Sequence, residues 1–236
     1  MFKKNKILAI TLARGNSKGI KKKNIISLMN KPLIYYTIIE AKKSKYIDDY
    51  IISTDDLEIK KIAEKYAANV PFLRPKKYSK DNSSSVIALQ HAVKYMENKN
   101  QITYDFIIEL MATNPLKNVK DIDECIKKII KTNADSVIAV HQLEDHHPAR
   151  IKKIVNDKIK NFCINEIKES RRQDLMPKAY IRSGSIYALK RDYLMNESER
   201  YGSNNSRPYV LPMKRAVNID EASDLILAEH MLKSKK

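Results

Sequence analysis

The chain has 236 residues, 43% hydrophobic and 31% charged, enough for one large domain or two small ones, and this excludes collagen-like, low-complexity or largely disordered chains. Its 45 Lys and Arg against 28 Asp and Glu leave a formal charge of +17, which points to an anionic partner: nucleic acid, a membrane surface or a phosphate-bearing small molecule. Ile7 to Leu12 and Phe106 to Met111 are among the longest apolar runs, and they fall far below the roughly 18 residues that span a bilayer. No membrane role is expected.

Short β-branched runs alternate with helical patterns along the first two thirds of the chain. In order, the sequence predicts a strand at Ile7 to Leu12, a helix at Pro32 to Lys43, a strand at Tyr50 to Thr54 and a helix at Leu57 to Tyr66. There follow a strand near Val70 to Leu73, a helix at Val86 to Glu97, a strand at Phe106 to Met111, a helix at Val119 to Thr132 and a strand at Ser136 to Val140. After His141 the pattern changes to a hairpin over Ile151 to Phe162 turning at Asn156-Asp157, a strand at Ile186 to Leu189, and a closing helix over Glu221 to Leu232. Alternation of this kind predicts an α/β fold with a doubly wound, mostly parallel sheet, whose ligands bind beyond the carboxyl ends of the strands. A single domain over residues 1–236 is expected, with a small inserted segment at about 141–190.

The N-terminal basic stretch runs into a short apolar segment and then Arg14, a pattern unlike a signal peptide. The two cysteines, Cys125 and Cys163, stand in no CxxC or Cys/His cluster, so neither a disulfide framework nor a zinc site is expected. A cytoplasmic setting is the expectation. Of the basic residues only 10 are Arg, Trp is absent, and aromatics make up 7%; scattered lysine without aromatic interleaving argues against a dedicated nucleic-acid role.

Glycine is rare, and two of the 4 glycines, Gly15 and Gly19, sit in the loop after the first strand. That loop, Ala13-Arg14-Gly15-Asn16-Ser17-Lys18-Gly19-Ile20-Lys21-Lys22-Lys23-Asn24, combines flexible backbone, hydroxyl and amide groups, and five cationic side chains. Backbone N–H groups at glycine approach an anion closely while Arg and Lys neutralise it, so two readings stand: a phosphate cradle or a solvated lysine-rich turn. The spacing is neither GxxxxGK[ST] nor GxGxxG. His146 and His147 are adjacent, and neighbours on an extended chain face opposite ways, which favours a structural role over a metal pair.

The run from Ala13 to Gly19 followed by Lys23-Asn24 resembles the nucleotide-binding signature of the acylneuraminate cytidylyltransferases, the CMP-sialic acid synthetase family. Lys31-Pro32-Leu33-Ile34, Ile52-Ser53-Thr54-Asp55-Asp56, Arg74-Pro75, Asp81-Asn82-Ser83-Ser84-Ser85, Thr113-Asn114-Pro115-Leu116, Asp145-His146-His147-Pro148 and Gly184-Ser185-Ile186-Tyr187 resemble further family landmarks in the family's order. The resemblance implies a Rossmann-like nucleotidyltransferase that moves CMP from CTP to the anomeric hydroxyl of a nonulosonic, sialic-acid-like sugar acid, with Mg²⁺ as cofactor and a homodimer as the assembly. Such chemistry rests on positioning and on neutralising charge.

By matching position, the family implies that Arg14 and Lys18 contact the triphosphate and that Lys23 stabilises departing pyrophosphate. Ala13, Gly15, Asn16, Ser17 and Asn24 would hold the nucleotide, and Ser84 would lie near cytidine and ribose. Arg171, Arg172 and Gln173 fall where the family places an Arg-Gln pair on the sugar acid, with Thr113 and Tyr187 as further acceptor residues. Asp220 and Asn218 stand at the metal position. There are departures. Met111 replaces the glutamine that meets the acylamino group, which implies a different or less polar substituent than that of N-acetylneuraminic acid. Asn218 replaces an aspartate, and Asp220 could instead cap the last helix. Alternatives left open are activation of 3-deoxy-octulosonate, a sugar-nucleotide-dependent glycosyltransferase, and a non-catalytic nucleotide or polyanion binder.

Overall fold

A computed structural model describes residues 5–17, 19–80, 83–166 and 171–234. The chain opens with strand β1 (Ile7–Leu12), then a two-residue hairpin of β2 (Ser27–Leu28) and β3 (Lys31–Pro32), helix α1 (Leu33–Lys42), β4 (Asp49–Ser53) and α2 (Leu57–Lys65). Next come α3 (Ser85–Asn100), β5 (Phe106–Leu110), α4 (Val119–Thr132) and β6 (Ser136–Gln142). The last third holds β7 (Lys152–Val155), β8 (Lys158–Asn161), β9 (Tyr180–Lys190), β10 (Ser206–Val210) and α5 (Ala222–Lys233).

Six strands form the central sheet in the order β10-β6-β9-β5-β1-β4. β1 lies parallel to both β4 and β5, β10 lies parallel to β6, and β9 alone runs antiparallel, between β5 and β6. From β1 the chain crosses through α1 to β4 on one side, and from β4 it returns through α2 and α3 to β5 on the other side of β1. That reversal opens a crevice at the carboxyl ends of β1 and β5.

Helices cover both faces. On one, Ile122, Ile126 and Ile129 of α4 pack with Ile7, Ile108 and Leu110, each isoleucine contributing about 1.5–3 kcal/mol by burial. On the other, Leu89, Ala92, Val93 and Met96 of α3 meet Leu8, Ile10, Ile107 and Leu189. Local signals agree with these positions. Asn118 and Asp121 form a reciprocal capping box that starts α4, and Asn133 ends the helix in the left-handed region. Asp56 caps α2 by accepting from the backbone N–H of Glu58 and Ile59 at 2.7 and 3.0 Å.

One expectation is corrected. Val70 to Leu73 is not a strand; only single bridges, Ile51 to Asn69 and Thr54 to Leu73, tie that segment to β4 and its end, and Pro71 between them removes a ladder donor. β10 is an addition to the expected elements; it carries Pro208 in its middle and lies at the sheet edge, where proline is tolerated. The hairpin at Asn156-Asp157 matches its expectation, with both turn residues at positive φ, 50° and 60°. Of residues 141–190, the hairpin stands apart as its own two-stranded sheet, whereas β9 threads back into the central sheet. Among the described residues no helix is long and apolar enough to cross a membrane.

Candidate active site

The loop after β1 is shaped by contacts rather than left free. Ala13 is buried and its N–H donates to the Ser53 carbonyl at 3.0 Å, and the N–H of Gly15 donates to Asp55 Oδ1 at 3.0 Å. A Cβ on Gly15 would stand 2.6 Å from Asp56 Oδ2, and one on Gly19 would stand 2.6 Å from the backbone oxygen of Asp220. The two glycines therefore let the loop press against the start of α2 and the segment before α5. Asn24 is buried and donates from Nδ2 to the Arg14 carbonyl at 2.9 Å, which ties the two ends of the loop together.

Beyond the ends of β1 and β5 the loop borders a cavity of about 630 Å³, within the usual size for a small-molecule site. The loop contributes Arg14, Ser17, Gly19, Lys23 and Asn24. The segment before α3 contributes Arg74, Tyr78, Ser79 and Lys80, and the start of α3 adds Ser83, Ser84, Ser85 and Ala88. Leu12, Glu109, Met111, Ala112 and Thr113 form the floor, with Asp220 and Glu221 at the rim. Ser84 is the N-cap of α3, accepting from Ile87 N–H at 3.4 Å, so the positive end of a 16-residue helix opens here.

Cations dominate one end of the cavity. Lys23 Nζ lies 2.7 Å from Asp220 Oδ1. Arg74, 5% exposed, donates from Nε to Ser79 Oγ at 3.0 Å and faces Asp55 at 3.7 Å. Burial pulls the Arg74 pKa down, Asp55 opposes this, and the charge of Arg14 adds to it. Positive charge gathered at this end of the cavity favours an anionic ligand there.

Lys117 stands behind the floor. It is 2% exposed, and its Nζ donates to Thr37 Oγ1 at 2.8 Å and to the carbonyls of Met111 and Asn114, both at 2.6 Å. It thereby fixes the 111–114 turn. Burial pushes its pKa down to about 7, with Glu40 and Asp121 opposing.

Of the residues expected from sequence, Arg14, Ser17, Lys23, Asn24, Ser84, Met111, Thr113 and Asp220 meet around this one cavity. Lys18 lies outside the described residues. Ala13, Gly15 and Asn16 are off the wall: Ala13 is packed in the core and Asn16 points to solvent. Arg171 pairs with Asp174 at 2.9 Å, and Arg172 pairs with Glu144 and Asp145 at 3.1 and 3.3 Å. Arg172 and Gln173 line a separate cavity of about 190 Å³ with Gln142 and His147. Tyr187 is buried behind the floor, opposite Glu109 in the β5–β9 ladder.

Asn218 donates from Nδ2 to Asp220, and its Oδ1 is buried without a partner, about 3.1 Å from where a Gly184 Cβ would be. Asp220 does not cap α5. Glu221 is its N-cap, in a reciprocal capping box with Asp224, whose Oδ2 accepts from the N–H groups of Asp220 and Glu221 at 2.9 and 2.8 Å. His147 is structural: buried, it donates from Nε2 to the Pro177 carbonyl at 2.8 Å and accepts from Ala149 N–H at Nδ1. Among the described residues no group of three or more His, Cys, Asp or Glu could hold a metal.

Sequence reasoning did not assign Arg74, Glu109 or Lys117 to the site. Arg74 carried a signal, since it is one of only 10 arginines in a lysine-rich chain, and arginine is suited to phosphate oxygens. Glu109 lies inside an apolar strand run, and nothing local marks it.

Comparison with known proteins decides the family. Residues 8–225 match the model for the cytidylyltransferase family. The chain belongs to this family. It is 35% identical over 229 residues, 97% of each chain, to a pseudaminic acid cytidylyltransferase of Campylobacter jejuni. A CMP-N,N'-diacetyllegionaminic acid synthase from the same species is 30% identical, over 97% of this chain and 96% of that one. The N-acylneuraminate cytidylyltransferase of Escherichia coli is 27% identical over 95% of this chain and 52% of its own. Among solved structures, a CMP:2-keto-3-deoxy-manno-octonic acid synthetase complexed with CTP aligns with TM-score 0.71 and 16% identity, covering 98% of this chain and all of that one. A 4-diphosphocytidyl-2C-methyl-D-erythritol synthase of Anaerococcus prevotii aligns at 0.66 and 15%, over 97% of this chain and 99% of that one. These structural likenesses establish the mostly parallel α/β nucleotidyltransferase fold. The chain is a transferase of the cytidylyltransferase type.

Proposed function

We propose that the cavity binds CTP against the loop after β1 and transfers its CMP group to the anomeric hydroxyl of a nonulosonic sugar acid. The hydroxyl oxygen forms a bond to the α-phosphorus as the bond from that phosphorus to the bridging oxygen breaks. Pyrophosphate leaves and the hydroxyl loses its proton. What supports this reading above all is the cluster of Arg14, Lys23 and Arg74 at the switch point of the sheet, in a chain with full-length relatives that are CMP-sugar-acid synthases.

In this reading Arg14, Arg74 and Lys23 neutralise the triphosphate, with Lys23 placed for the charge that grows on the leaving group. Lys18 joins them as a triphosphate contact carried from the family motif. Ser17 and Ser84 offer hydroxyls, Asn24 orients the loop through its bond to the Arg14 carbonyl, and Ala13, Gly15 and Asn16 act through the backbone that shapes it. Met111, Thr113 and Tyr187 belong to the acceptor end.

Mg²⁺, which the family resemblance implies, suits one part of the site. Asp220 brings a carboxylate to the rim, whereas the Asn218 amide donates to Asp220 and keeps its oxygen buried. One protein carboxylate with phosphate oxygens and water matches the preference of this hard cation. Asp220 would hold it and Asn218 would orient Asp220. When bound, the ion supplies positive charge to the triphosphate.

A homodimer completes the proposal. Ile154 and Ile159 of the β7–β8 hairpin are 78% and 77% exposed, and Phe162 beside it is 61% exposed, an apolar face that a second copy would cover. For Arg171, Arg172 and Gln173 to meet an acceptor, they must do so in a cavity other than their own chain's, and a dimer supplies one. Sedimentation of the purified protein as a monomer would contradict this part. The reaction itself is tested by adding CTP, Mg²⁺ and, in turn, pseudaminic, legionaminic and N-acetylneuraminic acids and 3-deoxy-octulosonate. Pyrophosphate release with at least one nonulosonic acid is expected; silence with all of these from folded protein would overturn the reading, and release with the octulosonate alone would move the acceptor class.

A further inference from the structure

Glu109 is the one acidic side chain in the floor of the main cavity, and it is 2% exposed. Its Oε2 accepts a hydrogen bond from Arg200 NH1 at 2.7 Å, while no hydrogen bond reaches Oε1 among the described residues. Arg200 is itself held from the far side, its guanidinium lying 4.9 Å from the Tyr187 ring centre and 5.8 Å from that of Tyr201. A carboxylate sunk this deep is expensive to keep unless each oxygen is satisfied. One oxygen is satisfied by an arginine that aromatic rings immobilise, and the other belongs to a residue of the cavity wall.

The surroundings say what could complete it. Glu109 near the end of β5 and Met111 just beyond it both line the cavity. The ion pair is neutral overall, so a neutral donor suits it better than a cation, which the nearby Arg200 charge would oppose. Met111 beside it offers a thioether and methyl group, apolar and adaptable. A donor with an apolar group attached is what an acylamino substituent provides: an N–H for the carboxylate and an alkyl group for the thioether.

We infer that Glu109 is a specificity-determining residue that accepts the N–H of an acylamino group on the acceptor sugar, with Arg200 as its positioning residue. This rests on the sugar-acid transferase reading above and adds which atom of the protein reads the acceptor. Arg200 fixes the rotamer of Glu109 and balances its charge, leaving one oxygen for the substrate.

The test is steady-state kinetics of Glu109→Gln with CTP, Mg²⁺ and whichever acylamino nonulosonic acid the wild type turns over best. Glutamine keeps the shape but has a single acceptor oxygen, so Arg200 and the substrate N–H compete for it. The expected result is an acceptor KM raised about 10- to 100-fold, with the dissociation constant for CTP, read by calorimetry, within about twofold of wild type. The double variant Glu109→Leu with Arg200→Leu removes both charges and is expected to keep CTP binding while losing the same acceptor affinity. An unchanged acceptor KM in both variants, or equal weakening of CTP and acceptor, would overturn the assignment. Wild-type protein silent toward every acceptor would instead overturn the reading beneath it.

Discussion

The two ends of the cavity are built in opposite ways. The nucleotide end as we propose it is built around one loop bearing Arg14, Lys23 and Asn24, faced by the 74–88 segment and set by local contacts: Gly15 N–H on Asp55 and the Asn24 amide on the Arg14 carbonyl. The acceptor end as we propose it is assembled from Glu109 on β5, Met111 just after it, Tyr187 on β9, and Arg200 and Tyr201, which stand 91 residues or more from Glu109 in the chain. Phosphate is recognised by repeated backbone geometry and positive charge, so its site compresses into a motif. A sugar substituent is recognised by individual side chains converging from several strands, so its site leaves little local trace.

That contrast can be broken by substitution. The largest effect is expected at Lys23. Changing it to Ala should lower kcat by about 10²- to 10³-fold while CTP affinity falls only a few-fold, because a transition-state contact is lost. Rapid-quench turnover beside CTP calorimetry checks this, and equal losses in both would make Lys23 a binding group only. Next, Arg74→Lys keeps the charge but removes the guanidinium fork that Ser79 and Asp55 hold. The KM for CTP should rise about 10-fold with little change in acceptor KM; a change confined to the acceptor would erase the division between the two ends.

The smallest effect concerns the floor. The Lys117 pKa is lowered from 10.5 to about 7 by burial, so the folded state binds that proton less tightly than the unfolded chain does. Its contribution to stability is therefore fullest above the unfolded pKa and declines as pH falls from about 10 toward 7, then levels. Between pH 9 and pH 7 the wild type should lose about 2 kcal/mol more stability to denaturation than Lys117→Met does. An equal loss in the two proteins would mean that the three hydrogen bonds to Thr37, Met111 and Asn114 offset burial and hold Lys117 charged throughout.

Legibility in the sequence followed the same division. The β1, α4 and hairpin positions could be read from β-branched runs, helical periodicity and an Asn156-Asp157 turn, since each signal is local. Val70 to Leu73 misled because an apolar run containing Pro71 forms only isolated bridges, and β10 went unread because a strand carrying Pro208 is permitted only by its edge position, which is not local. In the site, Arg14, Lys23 and Asn24 were legible as a motif. Arg74 and Lys117 were not assigned, because what sets them apart is deep burial, which their local sequence does not show. Arg171, Arg172 and Gln173 were readable as a motif, yet within one chain they lie off the main cavity.

The measurement that bears most directly on the central claim is phosphorus NMR of the wild-type reaction with CTP, Mg²⁺ and a nonulosonic acid. The account predicts one pyrophosphate and one new CMP phosphodiester for each CTP consumed, and no consumption when the sugar acid is left out. CTP that stays intact with every sugar acid, or pyrophosphate formed without any, would contradict it.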